Sequence, residues 1–376
     1  MRVAIINLTG GGMSGGYHQY LRNILTRITT HSEIENILCI SPKQWHVQDW
    51  FNPLSGIDFL DYNPYRPSQY RICPELEHNL VKFSPDVIFV PTERYFKFRN
   101  VPLVNMVQNM EPFVYSSNSN KLSERIKTLF RKRVSCSALH KSQRIIAVSK
   151  FVKEHLVTNI GIPETKISII YHGCSSNGNN ICTKPSAIPD NWSGTFLFTA
   201  GSIRPARGLE DILLALNHIS EADVAGLVIA GYTTPQTLRY REKLMAIIKR
   251  KKINIPVIWA DSLNPEEMSW CYQNCKAFVM TSRVESFGMI AVEAMSHGCV
   301  CISSDNPCLP EIFKDAAVYY SPRDSHSLSR QIQAMCHLDL RDRTAIADKA
   351  KKRASTFSWD LCVEETIREL KKTVES

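Results

Sequence analysis

The sequence predicts an α/β protein built from two doubly wound domains, on three observations. Its 376 residues exceed what one typical core accommodates. Short β-branched runs alternate with amphipathic helical stretches along nearly the whole length. A single stretch rich in Gly, Ser, Asn and Pro, "GCSSNGNNICTKPSAIPDNWSG", interrupts that alternation. The expected organisation is therefore a first domain over 1–172, a linker over 173–194 and a second domain over 195–357. Residues 358–376 are expected to form a C-terminal helix returning towards the first domain.

In the first half "RVAIINL", "NILCIS", "DVIFVPT", "PLVNMVQ" and "RIIAVS" are strands. Between the first two, "YHQYLRNILTRI" repeats apolar residues at Tyr17, Leu21, Ile24, Leu25 and Ile28, the spacing of one helix face. Unbroken apolar strands separated by helices belong to a parallel sheet covered on both sides. The second half repeats the scheme with "TFLFTAG", "GLVIAG", "PVIWAD", "AFVMTS" and "CVCISS", and with helices in "GLEDILLALNHI" and "PEEMSWCYQNC". Two such domains joined by one linker create a cleft. Ligands of doubly wound sheets gather beyond the carboxyl ends of the strands, where glycine-rich loops enter helices.

Composition narrows the partners. An apolar content of 44% with 22% charged residues describes a soluble globular chain, and the net charge of +9 suits a nucleotide, a nucleic acid or a membrane surface. No stretch approaches the ~20 apolar residues of a membrane span, and Met1-Arg2-Val3-Ala4 opens a strand without the pattern of a signal peptide. The twelve cysteines are accordingly expected reduced in a cytoplasm. Cys271, Cys275, Cys299 and Cys301 lack clustered histidines and read as small buried hydrophobes, not zinc ligands.

Three loops carry chemistry. "TGGGMSGG" places Gly15 and Gly16 where a strand turns into a helix. Gly10, Gly12 and Gly15 match the dinucleotide pattern only loosely, and no acidic residue ends a recognisable second strand ~20 positions on, which argues against a nicotinamide oxidoreductase. In "GSIRPARG" two guanidinium groups, Arg204 and Arg207, stand beside a helix start and can clamp a diphosphate. "RVESFGMIAVEAMSHG" sets Glu285 before a helix start and Glu293 about two turns on. Carboxylates repel phosphate but accept hydrogen bonds from sugar hydroxyls, while the helix N-terminus favours an anion.

Taken in order, these residues resemble the retaining family 4 glycosyltransferases of the GT-B fold, two Rossmann-like domains facing across a cleft. Glu285 and Glu293 match the family's E-x7-E pattern, with Ser286 in place of the usual first Gly. Further matches in family order are "PDVIFV", "IIAVSKFVKEHL", "ISIIYHG", "SDNPCLPEI", "AAVYYSP" and "FSWD". The resemblance implies that Glu293 holds the ribose of a nucleotide-diphosphate sugar and that Glu285 contacts the transferred sugar. Backbone N–H groups of Phe287, Gly288 and Met289 then lie near sugar and diphosphate. Arg207, where the family commonly has Lys, stabilises the departing nucleoside diphosphate. Ser202 stands where a second Arg is usual, and Arg204 is expected to replace that charge. Where the family often carries a His near the donor sugar, this chain has Gln108 or Asn109, which can hydrogen-bond but cannot act as a base.

His18 and His172 are left as structural residues. No Asp-x-Asp pair exists, so a metal-independent hexosyl- or deoxyhexosyltransferase is expected, without a cofactor beyond its co-substrate. A non-catalytic sugar-nucleotide or glycan-binding protein is the competing reading. The implied acceptor is a hydroxyl of a glycan or lipid-linked molecule in bacterial surface polysaccharide synthesis.

"NKLSERIKTLFRKRV", residues 120–134, adds an expectation of its own. Leu122, Ile126, Leu129, Phe130 and Val134 recur at helical spacing among Lys121, Arg125, Lys127, Arg131, Lys132 and Arg133. Such a helix either lies on an anionic membrane surface, on the inner face of the membrane, or packs its stripe against the first sheet.

Overall fold

The computed structural model describes residues 1–9, 15–51, 54–63, 74–114, 122–174, 182–235 and 237–375. They form two compact units, Met1–Gly173 with Ser358–Ser376, and Cys174–Phe357.

The first unit holds β1 (Arg2–Ile6), β2 (Asn36–Pro42), β3 (Ile57–Tyr62), β4 (Val87–Val90), β5 (Leu103–Val107), β6 (Arg144–Ala147) and β7 (Ile167–Ile169). They pair in the order β3-β2-β1-β4-β5-β6-β7, every neighbour parallel. All residues of β4 and β5 are buried, because helices cover both faces. The two edge strands are absent from the sequence reading. "IDFLDY" in β3 exposes Asp58 and Asp61 and buries only Ile57 fully, so it lacks the unbroken apolar run of the central strands.

The Gly15–Ile28 helix buries Tyr17, Leu21, Ile24, Leu25 and Ile28 as their spacing predicts, and Tyr20 besides. The C-terminal Trp359–Glu375 helix packs on this same unit. Its Glu369 pairs with Arg144 and accepts from the Ser168 hydroxyl at 2.8 Å. Trp359 stacks on His172 with ring centroids 5.7 Å apart, and the Tyr20 ring lies 4.9 Å from His172 and 6.1 Å from Trp359, so the three rings form one cluster. The chain passes so close here that a Cβ on Gly173 would sit 2.2 Å from the Trp359 backbone nitrogen.

The second unit holds β8 (Phe196–Ala200), β9 (Gly226–Ala230), β10 (Val257–Asp261), β11 (Ala277–Met280), β12 (Cys301–Ser304) and β13 (Ala317–Tyr320). The order is β10-β9-β8-β11-β12-β13, again parallel. One core joins Leu197, Leu227, Ile229, Val279 and Ile302 of the sheet to Ile212, Leu213 and Leu244 of the helices. Within 173–194, the described residues from 182 on include the Asp190–Trp192 turn, whose indole packs over Gly226.

His172 sets a pH dependence for the first unit. Burial lowers its pKa from 6.5 to about 3, so the unfolded chain takes the proton first. The stabilisation is intact above pH 6.5 and is lost as the pH falls towards 3. Urea titrations between pH 7.5 and 4.5 should show the wild type losing up to ~1.4 kcal/mol per pH unit more than His172→Gln. Parallel pH profiles for the two proteins would refute the assignment.

Candidate active site

The order of the second sheet reverses between β8 and β11, and the loops leaving these two neighbouring strands form the candidate site. They are stitched together. The Arg283 N–H donates to the Ala206 carbonyl at 2.8 Å, and the Thr281 hydroxyl to the Arg207 carbonyl at 2.7 Å. Gly208, at φ +63°, lies so close that a Cβ would meet the Thr281 oxygen at 2.5 Å.

Beneath the loops runs a buried polar network. The Arg283 guanidinium donates to Asp211 at 3.0 Å and lies 3.5 Å from Glu210. Asp211 also accepts from the Tyr320 hydroxyl at 3.2 Å and the Arg323 N–H at 2.9 Å. Glu210 accepts from Tyr240 at 2.6 Å and Lys243 at 2.9 Å. Burial opposes the Glu210 charge, but the hydrogen bonds from Tyr240 and Lys243 outweigh it and hold its pKa below the usual value. Burial drives the Tyr240 phenol far up, and Glu210 adds to the rise.

On this base sit the sequence-predicted residues. Arg207 Nη1 donates to Glu285 Oε1 at 2.5 Å and to the Ser282 hydroxyl at 3.0 Å, and Ser282 in turn donates to Glu285 at 3.1 Å. The side chains of Arg207 and Glu285 are only 16% and 15% exposed. Gly201, at φ +120°, lets the Arg207 guanidinium lie against the backbone, where a Cβ would be 2.8 Å from its central carbon. The Arg207 Nε is buried and has no hydrogen-bond partner among the described residues. Ser202 is exposed and Arg204 half-buried, at the entrance to the Pro205–Arg207 turn.

Ser286 and Phe287 are buried, the Phe287 ring standing edge-on to Phe357 at 5.4 Å. Gly288 adopts φ +89° to start the Met289–Ser296 helix, and Met289 is its first residue. Glu293 lies half-buried in that helix and accepts from the Tyr272 hydroxyl at 3.2 Å.

The remaining candidates belong to the first unit. Gly15 and Gly16 open the Gly15–Ile28 helix, and a Cβ on Gly15 would meet no atom within 4 Å among the described residues. Gly10 and Gly12 lie outside the described residues. Gln108 is anchored through its side-chain amide to the Pro91 carbonyl at 3.0 Å. The Asn109 side chain accepts from the Glu111 N–H at 3.0 Å and so caps the next helical turn. Both backbone N–H groups converge on Glu93, at 3.1 and 3.2 Å, whose carboxyl is raised by burial against these hydrogen bonds. Neither Glu93 nor Tyr272 is singled out by the sequence, since each stands alone in an unremarkable local pattern. His18 stacks on Trp50 at 3.9 Å, and burial lowers its pKa.

Two family models match the chain. Residues 45–177 match "Glycosyltransferase Family 4" and residues 187–353 match "Glycosyl transferases group 1". The chain belongs to the family 4 glycosyltransferases.

This glycosyltransferase is 25% identical to O-antigen chain mannosyltransferase B of Escherichia coli, over 84% of its own length and 75% of the relative's. It is 21% identical to an O-antigen chain mannosyltransferase of Salmonella typhimurium, over 88% and 90%. Against an uncharacterised glycosyltransferase of Methanocaldococcus jannaschii the identity is 26%, and the match spans 62% of that protein. Among solved structures, Anabaena HepE in complex with UDP and glucose superposes with a TM-score of 0.74 at 18% identity, covering 98% of this chain and 99% of that one. WaaG, a glycosyltransferase of lipopolysaccharide biosynthesis, gives 0.68 at 12% identity, covering 98% and 99%. These likenesses establish the GT-B fold. Among the described residues no group of three or more His, Cys, Asp or Glu side chains is arranged to hold a metal ion.

If Arg207 faces the leaving diphosphate, Arg207→Ala should cost ~2–4 kcal/mol in kcat/KM. Gly201→Ala, which pushes on the guanidinium without removing it, should lower kcat/KM in the same direction. Steady-state kinetics check both, and a loss under about tenfold for Arg207→Ala would place the clamp elsewhere.

Proposed function

We propose that this glycosyltransferase is a retaining, metal-independent enzyme that transfers a hexosyl or deoxyhexosyl group from a nucleotide-diphosphate sugar to a hydroxyl of a glycan or lipid-linked acceptor. The pathway proposed is bacterial surface polysaccharide synthesis, in line with the O-antigen relatives, and HepE's UDP complex supports a nucleotide donor. The observation that carries the reading is the Arg207–Glu285 pair on the two switch-point loops, with Glu293 on the helix that follows.

Each residue has a task in that chemistry. Arg207, with an Nε that has no partner among the described residues, takes up charge as the bond between the anomeric carbon and the phosphate oxygen breaks. Glu285 accepts a hydroxyl of the transferred sugar and orients it. The acceptor oxygen attacks from the face the diphosphate leaves, and its proton passes to the departing phosphate oxygen. The anomeric configuration is thereby kept. No side-chain nucleophile is needed, and the protein contributes orientation and charge stabilisation. Glu293 holds the ribose hydroxyls and so sets donor affinity.

Glu285→Gln should therefore lower turnover chiefly, and Glu293→Gln should raise the KM for donor chiefly. Release of nucleoside diphosphate on addition of acceptor measures both. Binding of a nucleotide sugar without any acceptor-dependent release would leave only a binding protein.

The proposed site of action is the inner face of the membrane. No described helix is long and apolar enough to cross a bilayer. In the Leu122–Lys141 helix, however, Ile126, Leu129 and Phe130 are 59%, 63% and 64% exposed, so they do not pack against the first sheet. Arg131 and Arg133 are exposed beside them, and Lys132 is half-buried. A basic helix with an uncovered apolar stripe suits an anionic bilayer, at ~1 kcal/mol per basic residue near the surface. The protein should sediment with phosphatidylglycerol vesicles at low salt, and Phe130→Ser with Leu129→Ser should abolish this. Wild-type protein remaining in the supernatant at low salt would exclude the membrane.

A further inference from the structure

Tyr272 lies at the end of the Pro265–Asn274 helix, in a stretch that no motif covers. Its ring is buried and held from three sides. Phe198 meets it edge-on at 5.3 Å, Phe278 at 5.6 Å, and the His297 imidazole stacks on it at 5.1 Å with a 28° tilt. The backbone is held as well, because the Cys299 thiol donates to the Tyr272 carbonyl at 3.0 Å. From this fixed ring the hydroxyl donates to Glu293 Oε2 at 3.2 Å. Burial pushes the phenol well above its ordinary pKa, and the neighbouring Glu293 charge pushes further, so the hydroxyl keeps its proton and remains a donor.

His297 ties the same two residues from the other end. Its Nδ1 lies 2.9 Å from the Glu293 carbonyl while its ring covers Tyr272. A glutamate side chain has three rotatable bonds, and holding one conformation costs entropy at the moment of binding. A donor locked among aromatic rings removes that freedom beforehand.

We propose that Tyr272 is a positioning residue that fixes the Glu293 carboxylate for the ribose hydroxyls of the donor. The inference rests on the reading that Glu293 binds ribose. Tyr272 itself touches no substrate. It acts on donor affinity and leaves the reacting bonds alone, so its loss raises KM and spares kcat.

The test uses Tyr272→Phe, which keeps the ring and its packing. Whichever of UDP and GDP binds more tightly is titrated by calorimetry, alongside its 2′,3′-dideoxy counterpart. Wild-type protein should prefer the intact diphosphate by about tenfold or more, as hydroxyls on a charged acceptor warrant. In Tyr272→Phe that preference should shrink to a few-fold while the dideoxy compound binds as before. With Glu293→Gln as background, Tyr272→Phe should change nothing further. A wild type that binds both compounds equally overturns the ribose reading. A wild type that discriminates, with Tyr272→Phe discriminating equally well, overturns the positioning role alone. If Tyr272→Phe weakens both compounds alike, or still acts in the Glu293→Gln background, the residue is structural and the proposal fails.

Discussion

Arg283 is the residue on which the second unit's binding surface depends. Its backbone joins the loop after β11 to the loop after β8, and its guanidinium is sunk between Asp211 and Glu210. Removing one partner of such a buried group leaves an uncompensated charge, which is far costlier than the pair itself is stabilising. The network therefore acts as a register device. It leaves the two loops a single arrangement, with Arg207 on one and Glu285 on the other at hydrogen-bond distance.

That arrangement explains how a cation and an anion can share a small half-buried site before any ligand arrives. Glu285 and Ser282 satisfy one edge of Arg207, and the Gly201 backbone supports its face. In the proposed reaction a diphosphate brings two negative groups and competes for the same guanidinium, while sugar hydroxyls offer donors to the carboxylate in exchange. Preorganisation of this kind suits the proposed transfer, in which orientation and charge stabilisation carry the reaction.

The sequence makes the central strands legible because they are buried on both faces and so read as unbroken apolar runs. It conceals β3, whose Asp58 and Asp61 reflect an edge position, and β7, which is only three residues long. Glu285, Glu293 and Arg207 are legible because they sit in ordered motifs with glycines that the backbone demands. Gln108 and Asn109 are legible from their place after a strand, but the contacts of their side chains with Pro91 and the Glu111 turn are not. Tyr272 and Arg283 are invisible by the same logic. Their importance lies in contacts across 21 and 72 positions of chain, which no local pattern encodes.

The direct measurement is a crystal structure with a nucleoside diphosphate sugar bound. The Arg207 guanidinium should lie on a diphosphate oxygen and a hydroxyl of the transferred sugar on Glu285, with the loops after β8 and β11 unmoved. A diphosphate bound elsewhere, with the Arg207–Glu285 pair intact beside it, would contradict this reading.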